Sequence, residues 1–196
     1  MNKTWLLVIS LSILSTFGCA TMPNSSSNAN KIVISENYSI SKHRIIAILP
    51  FRNSGIEGYD YSVTDKFSMH CMESGFVVIE RMQLEQVFKE LKLELTGMLS
   101  KSDMNRIGKI LNLDMIVFGT TGYGNMPSMS FGANYIGSGS VLQTESARFV
   151  DIASGEVLIS IYVNEADPAT GSLSEAMYLL LKNKLREIKY KLAEQK

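Results

Sequence analysis

Residues 76–97 read FVVIERMQLEQVFKELKLELTG, and this stretch decides the fold of the chain. Its first four residues form an uninterrupted apolar run, which is typical of a buried β-strand. The pattern then changes to the three- and four-residue spacing of one apolar helix face, formed by Leu84, Val87, Phe88, Leu91 and Leu95. The stretch therefore predicts a buried strand that leads directly into an amphipathic helix, with Glu80 and Arg81 at the junction.

Two other apolar runs predict further buried strands. Residues 44–49, RIIAIL, are too continuously apolar for a half-exposed strand and end at Pro50. We therefore expect a central strand that is covered on both faces. Residues 113–119, LDMIVFG, have the same character and predict a third strand.

Helices are predicted between these strands. One begins at Asp60 or Ser62 and ends at Gly75, and a short one begins at Ser102. The order of strand, helix, strand, two helices and strand requires right-handed crossovers and a parallel core sheet.

The C-terminal part follows a different pattern. Residues 145–152 and 156–163 are strand-like runs joined by a turn that contains Gly155, which predicts an antiparallel hairpin. Ser172 and Glu175 form a capping box for a long amphipathic helix, which should lie across the sheet. The predicted fold class is α/β, a mixed sheet with parallel core strands and an antiparallel C-terminal hairpin, flanked by helices.

Several of these features resemble the family of the curli secretion lipoprotein CsgG. The family signature is an apolar strand, then Glu-Arg, a helix with Leu three residues on, and a Glu-rich turn that ends in Gly. This chain matches it at Glu80, Arg81, Leu84, Glu90, Leu93 and Gly97. Residues 50–53, 148–151 and 155–156 also match. The resemblance implies a CsgG-like α/β domain over residues 42–196 that acts by assembly and not by catalysis.

The N-terminal residues are similar to a bacterial lipoprotein signal. Lys3 precedes an apolar run that is too short to span a bilayer, and Cys19 follows a small glycine as in a lipobox. We expect residues 1–18 to be a signal peptide and acyl chains on Cys19 to anchor the protein on the periplasmic side of the outer membrane.

Residues 19–41 are predicted to connect this anchor to the domain. Residues 21–30 are polar and rich in turn-forming types, so they predict a flexible tether. The short run Ile32-Val33-Ile34 is either an edge strand or a contact to a neighbouring subunit, and the sequence leaves both open.

Charge and cysteine content exclude two classes of interaction. The chain has 19 basic and 19 acidic residues, so it offers no electrostatic footprint for nucleic acid. Cys71 is the only cysteine besides Cys19, so an acylated Cys19 leaves no intrachain disulfide.

We expect neither an enzyme nor a cofactor or metal site. Glu80 and Arg81 are the best candidates for a functional pair, because α/β folds bind ligands at the carboxyl ends of their strands. An ion pair of Arg81 with an acidic neighbour is the favoured alternative. Residues 119–124 lack the Lys-Ser/Thr of a phosphate loop, and His43, His70 and Cys71 make neither a zinc set nor an activated nucleophile.

The segment from Asn125 to Ser146 is the candidate interaction element. Met129, Phe131 and Tyr135 alternate with polar residues, and we expect one strand from Met126 to Ile136 followed by a turn. In the curli channel the similar segment is the first of two membrane hairpins. A short soluble hairpin or a mobile loop is the favoured alternative here, because Pro127, Gln143 and Glu145 suit a membrane strand poorly.

The second membrane hairpin of the curli channel has no counterpart, since residues 164–171 are polar and turn-forming. Two functions remain. The first is secretion or assembly of an extracellular, curli-like protein by a homo-oligomer. The alternative is a binding module with a periplasmic partner, which resembles the lipoprotein activators of peptidoglycan synthases.

Overall fold

The structure, a computed structural model, describes residues 30–54, 58–94, 99–126, 129–131, 134–136 and 139–194. Its strands are β1 (Lys31–Ile34), β2 (Ile45–Ile48), β3 (Phe51–Ser54), β4 (Tyr59–Asp60), β5 (Val77–Val78), β6 (Met115–Met126), β7 (Met129–Phe131), β8 (Asn134–Ile136), β9 (Gly139–Asp151) and β10 (Val157–Val163). Its helices are α1 (Tyr61–Glu73), α2 (Arg81–Leu91), α3 (Lys101–Leu111) and α4 (Leu173–Glu194). The predicted signal peptide and Cys19 lie outside these residues.

The main sheet is mixed, as predicted, with the order β1-β10-β9-β6-β2-β5. Strand β2 pairs in parallel with β5 and β6, while β9 pairs antiparallel with both β6 and β10. Strand β3 continues the line of β2 along β6 after Pro50, which has no N–H to donate to the ladder. The predicted parallel core and antiparallel hairpin are both confirmed.

Helices cover both faces of this sheet, which explains the continuous apolar run in β2. Ile46 and Ile48 pack into the core beneath α1 and α4, which contribute Phe67 and Met177. Ala47, between them, faces the opposite core, to which α2 and α3 contribute Leu84, Val87, Phe88 and Ile107. Successive residues of a strand point to opposite faces, so a strand between two helical layers must be apolar throughout.

Several predicted boundaries move. Strand β5 is the edge of the sheet, and Val77 is 47% exposed, so the prediction of a buried strand there is wrong. Helix α2 ends at Leu91 because Lys92 takes a left-handed conformation, and Leu95 lies outside the described residues. Helix α3 is capped by Ser100, whose Oγ accepts a hydrogen bond from the Asp103 N–H, and not by Ser102.

The N-terminal segment joins the domain earlier than its composition indicated. Strand β1 pairs with β10 from Lys31↔Tyr162 to Ile34↔Ile159, so the edge-strand alternative is confirmed. Tyr38 is also part of the core. The folded part thus includes residues that precede position 42. None of the described helices is long and apolar enough to cross a membrane.

Candidate functional site

Strands β6 and β9 extend beyond the sheet that they belong to. They pair from Met115↔Asp151 to Met126↔Gly139, whereas β10 follows β9 only as far as Glu145 and β3 follows β6 only as far as Gly122. We call residues 123–126 and 139–144, together with the paired strands β7 and β8, the ribbon. The ribbon therefore extends past the ends of β3 and β10 and has no neighbouring strand among the described residues.

A β-bulge marks the point where the ribbon leaves the sheet. Thr144 lies opposite Gly122, but Leu142 lies opposite Tyr123, so Gln143 is an extra residue in β9. Its side chain covers Gly124, where a Cβ atom would be 1.9 Å from the Gln143 Nε2. Bulges bend a strand and increase its twist, and glycine allows such a close approach. The sequence of β6 and β9 thus directs the ribbon away from the plane of the sheet.

The β6 side of the ribbon base is held by the start of α1. The Tyr123 hydroxyl donates a hydrogen bond to Asp60 Oδ2. The same carboxylate caps α1, because its Oδ1 accepts from the Val63 N–H at 3.0 Å. This hydrogen bond to Asp60, with burial, raises the pKa of Tyr123 to about 12, so the phenol stays protonated and remains a donor.

The β9 side of the base is held by the start of α4 through a buried carboxyl group. Glu145 is fully buried, and its Oε1 accepts a hydrogen bond of 2.6 Å from the Ser174 hydroxyl. Burial raises the pKa of Glu145, and the nearby Lys66 ammonium opposes this rise. Lys66 in turn donates to the α4 capping residue, Ser172, at 3.1 Å. Both helix starts therefore clamp the ribbon base.

A groove of about 780 Å³ lies beside this clamp. Its walls come from residues 141–144 of β9, from the loop that follows β10 and from the first turn of α4. Residues 141–144 have no strand partner on the groove side among the described residues. An open strand edge presents unpaired N–H and C=O groups in a row and can pair with another extended chain.

Arg81 of the predicted pair Glu80 and Arg81 contacts the first turns of α1. Arg81 Nη1 lies 3.0 Å from Asp65 Oδ1, and its guanidinium carbon lies 5.0 Å from the centre of the Tyr61 ring. Both partners are in the first turns of the helix that Asp60 caps. Glu80 makes no side-chain capping bond. The favoured alternative, an ion pair of Arg81 with an acidic neighbour, is confirmed, while an interaction role for the pair remains a prediction.

The candidate interaction residues Met129, Phe131 and Tyr135 lie in β7 and β8. Phe131 pairs with Asn134 and Met129 with Ile136, so the prediction of a single strand from Met126 to Ile136 is wrong. The side chains of these three residues are outside what the structure describes, and their role remains a prediction. Strands β7 and β8 form a separate two-stranded antiparallel sheet.

Glu145 is the residue that sequence reasoning missed. Its charge predicts only that it suits a membrane strand poorly. A signal existed, because Glu145 shares its strand face with Ala147 and Phe149, both fully buried. A carboxylate at a core-facing strand position predicts a hydrogen-bonded or charge-compensated site. Within the described ranges no group of three or more His, Cys, Asp or Glu residues could hold a metal ion.

The comparison with protein families decides the classification. The model of the family described as "curli production assembly/transport component CsgG" matches residues 29–175. The chain belongs to this CsgG family. The resemblance seen at Glu80, Arg81 and the hairpin is thereby confirmed. No curated protein matches the chain.

Solved structures similar to this CsgG-family chain include three bacterial proteins. The LpoB C-terminal domain from Salmonella enterica is 12% identical, with 66% of this chain and 85% of that chain covered and a TM-score of 0.47. A PelC dodecamer from Paraburkholderia phytofirmans is 11% identical, with 78% and 94% covered and a TM-score of 0.43. Lipoprotein GNA1162 from Neisseria meningitidis is 19% identical, with 77% and 99% covered and a TM-score of 0.40. Each TM-score is below 0.5, so none of these similarities bears on the function.

Proposed function

We propose that this CsgG-family protein is a lipoprotein of the outer membrane, anchored through Cys19 on the periplasmic side, that takes part in the secretion or assembly of an extracellular protein. It acts through protein contacts and not as an enzyme. One observation carries the proposal: the ribbon projects from the sheet, is clamped at its base by two helices, and leaves the edge of β9 open beside a groove.

The open edge of β9 has an energetic cost. A strand edge without a partner exposes backbone donors and acceptors, and proteins usually cover or shorten such edges. Here the edge is kept in place by Tyr123 on one strand and Glu145 on the other, at the expense of burying a carboxyl group. An element maintained in this way is suited to pairing with another copy of the chain or with a secreted polypeptide.

The experiment removes the outer part of the ribbon and leaves its base. Met126 and Gly139 face each other at the end of the β6–β9 ladder, so an Asn-Gly turn can replace residues 127–138 and close the hairpin. We expect this variant to fold, to lose the oligomeric mass measured by light scattering in detergent, and to secrete less extracellular protein when it replaces the native chain.

A point variant provides the matched control. Lys109→Gln alters an exposed cation on α3, which does not contact the ribbon, and should leave both mass and secretion unchanged. Circular dichroism and the melting temperature establish that both variants fold. Unchanged secretion and unchanged mass in the folded turn variant would contradict the proposal. Anchoring is tested separately, because Cys19→Ser should abolish labelling with a radioactive fatty acid.

The second candidate is a binding module with a periplasmic partner, similar to lipoprotein activators of peptidoglycan synthases. It is favoured by the connection from β10 to α4, residues 164–172, which contains no strand and closes on itself through the Gly171 N–H and the Asp167 carbonyl at 2.7 Å. A second membrane hairpin would have to lie in this connection. Deleting residues 22–27 of the tether should abolish activity under this alternative, whereas secretion by a ring should tolerate it.

A further inference from the structure

A second cavity, separate from the ribbon, lies where the segment between β1 and β2 meets the end of α1 and the side of α4. Its volume is about 300 Å³. This is near the lower end of the range for small-molecule sites and corresponds to about ten water molecules at liquid density. The cavity therefore suits a ligand of about a dozen non-hydrogen atoms.

Tyr38 lines this cavity and carries a polar atom without a partner. The residue is only 8% exposed, and its hydroxyl is buried with no hydrogen-bond partner in the part of the chain that the structure describes. Buried hydroxyl groups are normally paired, and one that is not loses hydrogen bonds to water without replacement. Burial also raises the pKa of Tyr38, so the group is a donor at any physiological pH.

The charged side chains that line the cavity include two cations and no carboxylate. Arg44 and Lys189 both line it, and neither forms an ion pair with a carboxylate among the described residues. No acidic residue is part of the lining. Two acids adjoin the lining and are hydrogen-bonded: Asp114 Oδ2 accepts from the backbone N–H groups of residues 44 and 45, and Asp151, beside His43, accepts from Ser154 through its Oδ2.

His43 also lines the cavity. Its Nδ1 accepts a hydrogen bond from the Ser39 N–H at 2.9 Å, so the neutral ring carries its hydrogen on Nε2. That atom lies 3.7 Å from Asp151 Oδ1, and the ring stacks on Tyr38 with the ring centres 5.7 Å apart. The His43 contacts hold the Tyr38 ring at the cavity wall.

The rest of the lining combines the apolar side chains of Ile40, Phe76 and Leu185 with Ser41, Ser74 and Gly75. A ligand that matches both parts is an anion at one end and aliphatic at the other. We infer that this cavity binds a small aliphatic carboxylate, with the carboxylate between Arg44 and Lys189 and the aliphatic part against the apolar side chains of the lining. The inference does not depend on the function proposed for the ribbon.

The test uses the full chain in detergent and N-acetylleucine as the probe, which has about a dozen non-hydrogen atoms, with its uncharged amide, N-acetylleucinamide, as the matched control ligand. We expect saturable binding of the acid near millimolar concentration in a ligand-observed NMR titration. The amide should bind at least about tenfold more weakly, because it lacks the charge. Equal binding of acid and amide would overturn the inference.

Variants assign the binding to this cavity. Arg44→Gln should weaken binding of the acid at least about tenfold, because it removes one of the two cations of the lining, whereas Tyr38→Phe should leave binding unchanged, because the Tyr38 hydroxyl is fully buried. Tyr38→Phe should not lower the melting temperature of the free protein, since the hydroxyl it removes has no partner. Lys42→Gln, an exposed cation outside the lining, is the control and should change nothing. Wild-type affinity in Arg44→Gln would refute the site.

A peptide distinguishes the two sources of such a carboxylate. The tetrapeptide Ser-Gly-Ser-Leu presents the same terminal group at the end of a chain. Affinity equal to that of N-acetylleucine would identify the C-terminus of a protein as the ligand class. If the tetrapeptide does not bind while N-acetylleucine still does, the ligand class is a free small acid.

Discussion

Gly119 allows β3 to pack closely against β6. A Cβ atom at this position of β6 would lie 2.1 Å from both Cδ1 and Cε1 of Phe51 on the neighbouring strand β3. The Phe51 ring cannot move aside easily, because it is fully buried and packs on Phe67 with ring centres 5.2 Å apart. Gly119→Ala therefore forces a rearrangement of the core.

The magnitude follows from two opposing effects. Replacing a strand glycine without strain stabilises a protein by about 0.4–1 kcal/mol, whereas overpacking a core costs about 1–3 kcal/mol. We expect Gly119→Ala to lower the free energy of unfolding by about 1–2 kcal/mol. Gly139→Ala is the matched control, since no atom lies within 4 Å of its Cβ position, and it should leave stability unchanged within about 0.5 kcal/mol.

The cause is tested by removing the ring. Phe51→Ala alone should cost about 3–5 kcal/mol, and adding Gly119→Ala to it should cost less than about 0.5 kcal/mol because the clash is gone. Urea unfolding followed by circular dichroism gives the free energy of unfolding of the wild type, the two single variants and the double variant. Phe51→Leu replaces Phe51→Ala if the latter does not fold. Wild-type stability in Gly119→Ala, or full additivity in the double variant, would refute the packing of β3 against β6.

Three other predictions concern single side chains. Leu84→Ala should cost about 2–5 kcal/mol in urea unfolding, because Leu84 is fully buried on the inner face of α2, and a loss below about 1 kcal/mol would contradict that packing. Arg81→Ala should cost less than about 1 kcal/mol in the same assay, since both Arg81 and Asp65 are partly exposed, and a larger loss would indicate that the pair is more than a surface ion pair. The raised pKa of Glu145 favours the protonated form in the folded state, so the stability that it contributes is present below its unfolded pKa and is lost as the pH rises through its folded value. Unfolding midpoints measured from pH 4 to 8 should therefore show that the stability of Glu145→Gln rises relative to that of the wild type as the pH rises. The opposite trend would show that the folded state favours the charged carboxylate.

Some parts of the fold were predictable because the information is local. The transition from strand to helix at residues 76–84 was predictable because the spacing of the apolar residues changes there from continuous to every third or fourth residue. The predicted capping box of α4 is present, since the Glu175 N–H donates a hydrogen bond to the Ser172 hydroxyl. The continuous apolar character of β2 predicted a strand between two layers, and the two cores on opposite faces of Ile46 and Ala47 confirm it. The antiparallel hairpin of β9 and β10 followed from a glycine turn between two strand-like runs.

The remaining features depend on contacts between residues that are distant in the chain, and a local pattern does not contain them. The apolar run at Val77 and Val78 is the same in a central or an edge strand, and only the pairing of β2 with β6 on its other side leaves β5 at the edge. Strand β1 is ordered by β10, more than a hundred residues away in the chain. Glu145 becomes a clamp only because α4 brings Ser174 to it, and the cations near Tyr38 surround a cavity only because α4 passes the end of α1. The sequence by itself thus determined the elements, the fold class and the family, while the tertiary structure decided which polar groups are buried, which strand edges stay open, and therefore where this protein can bind.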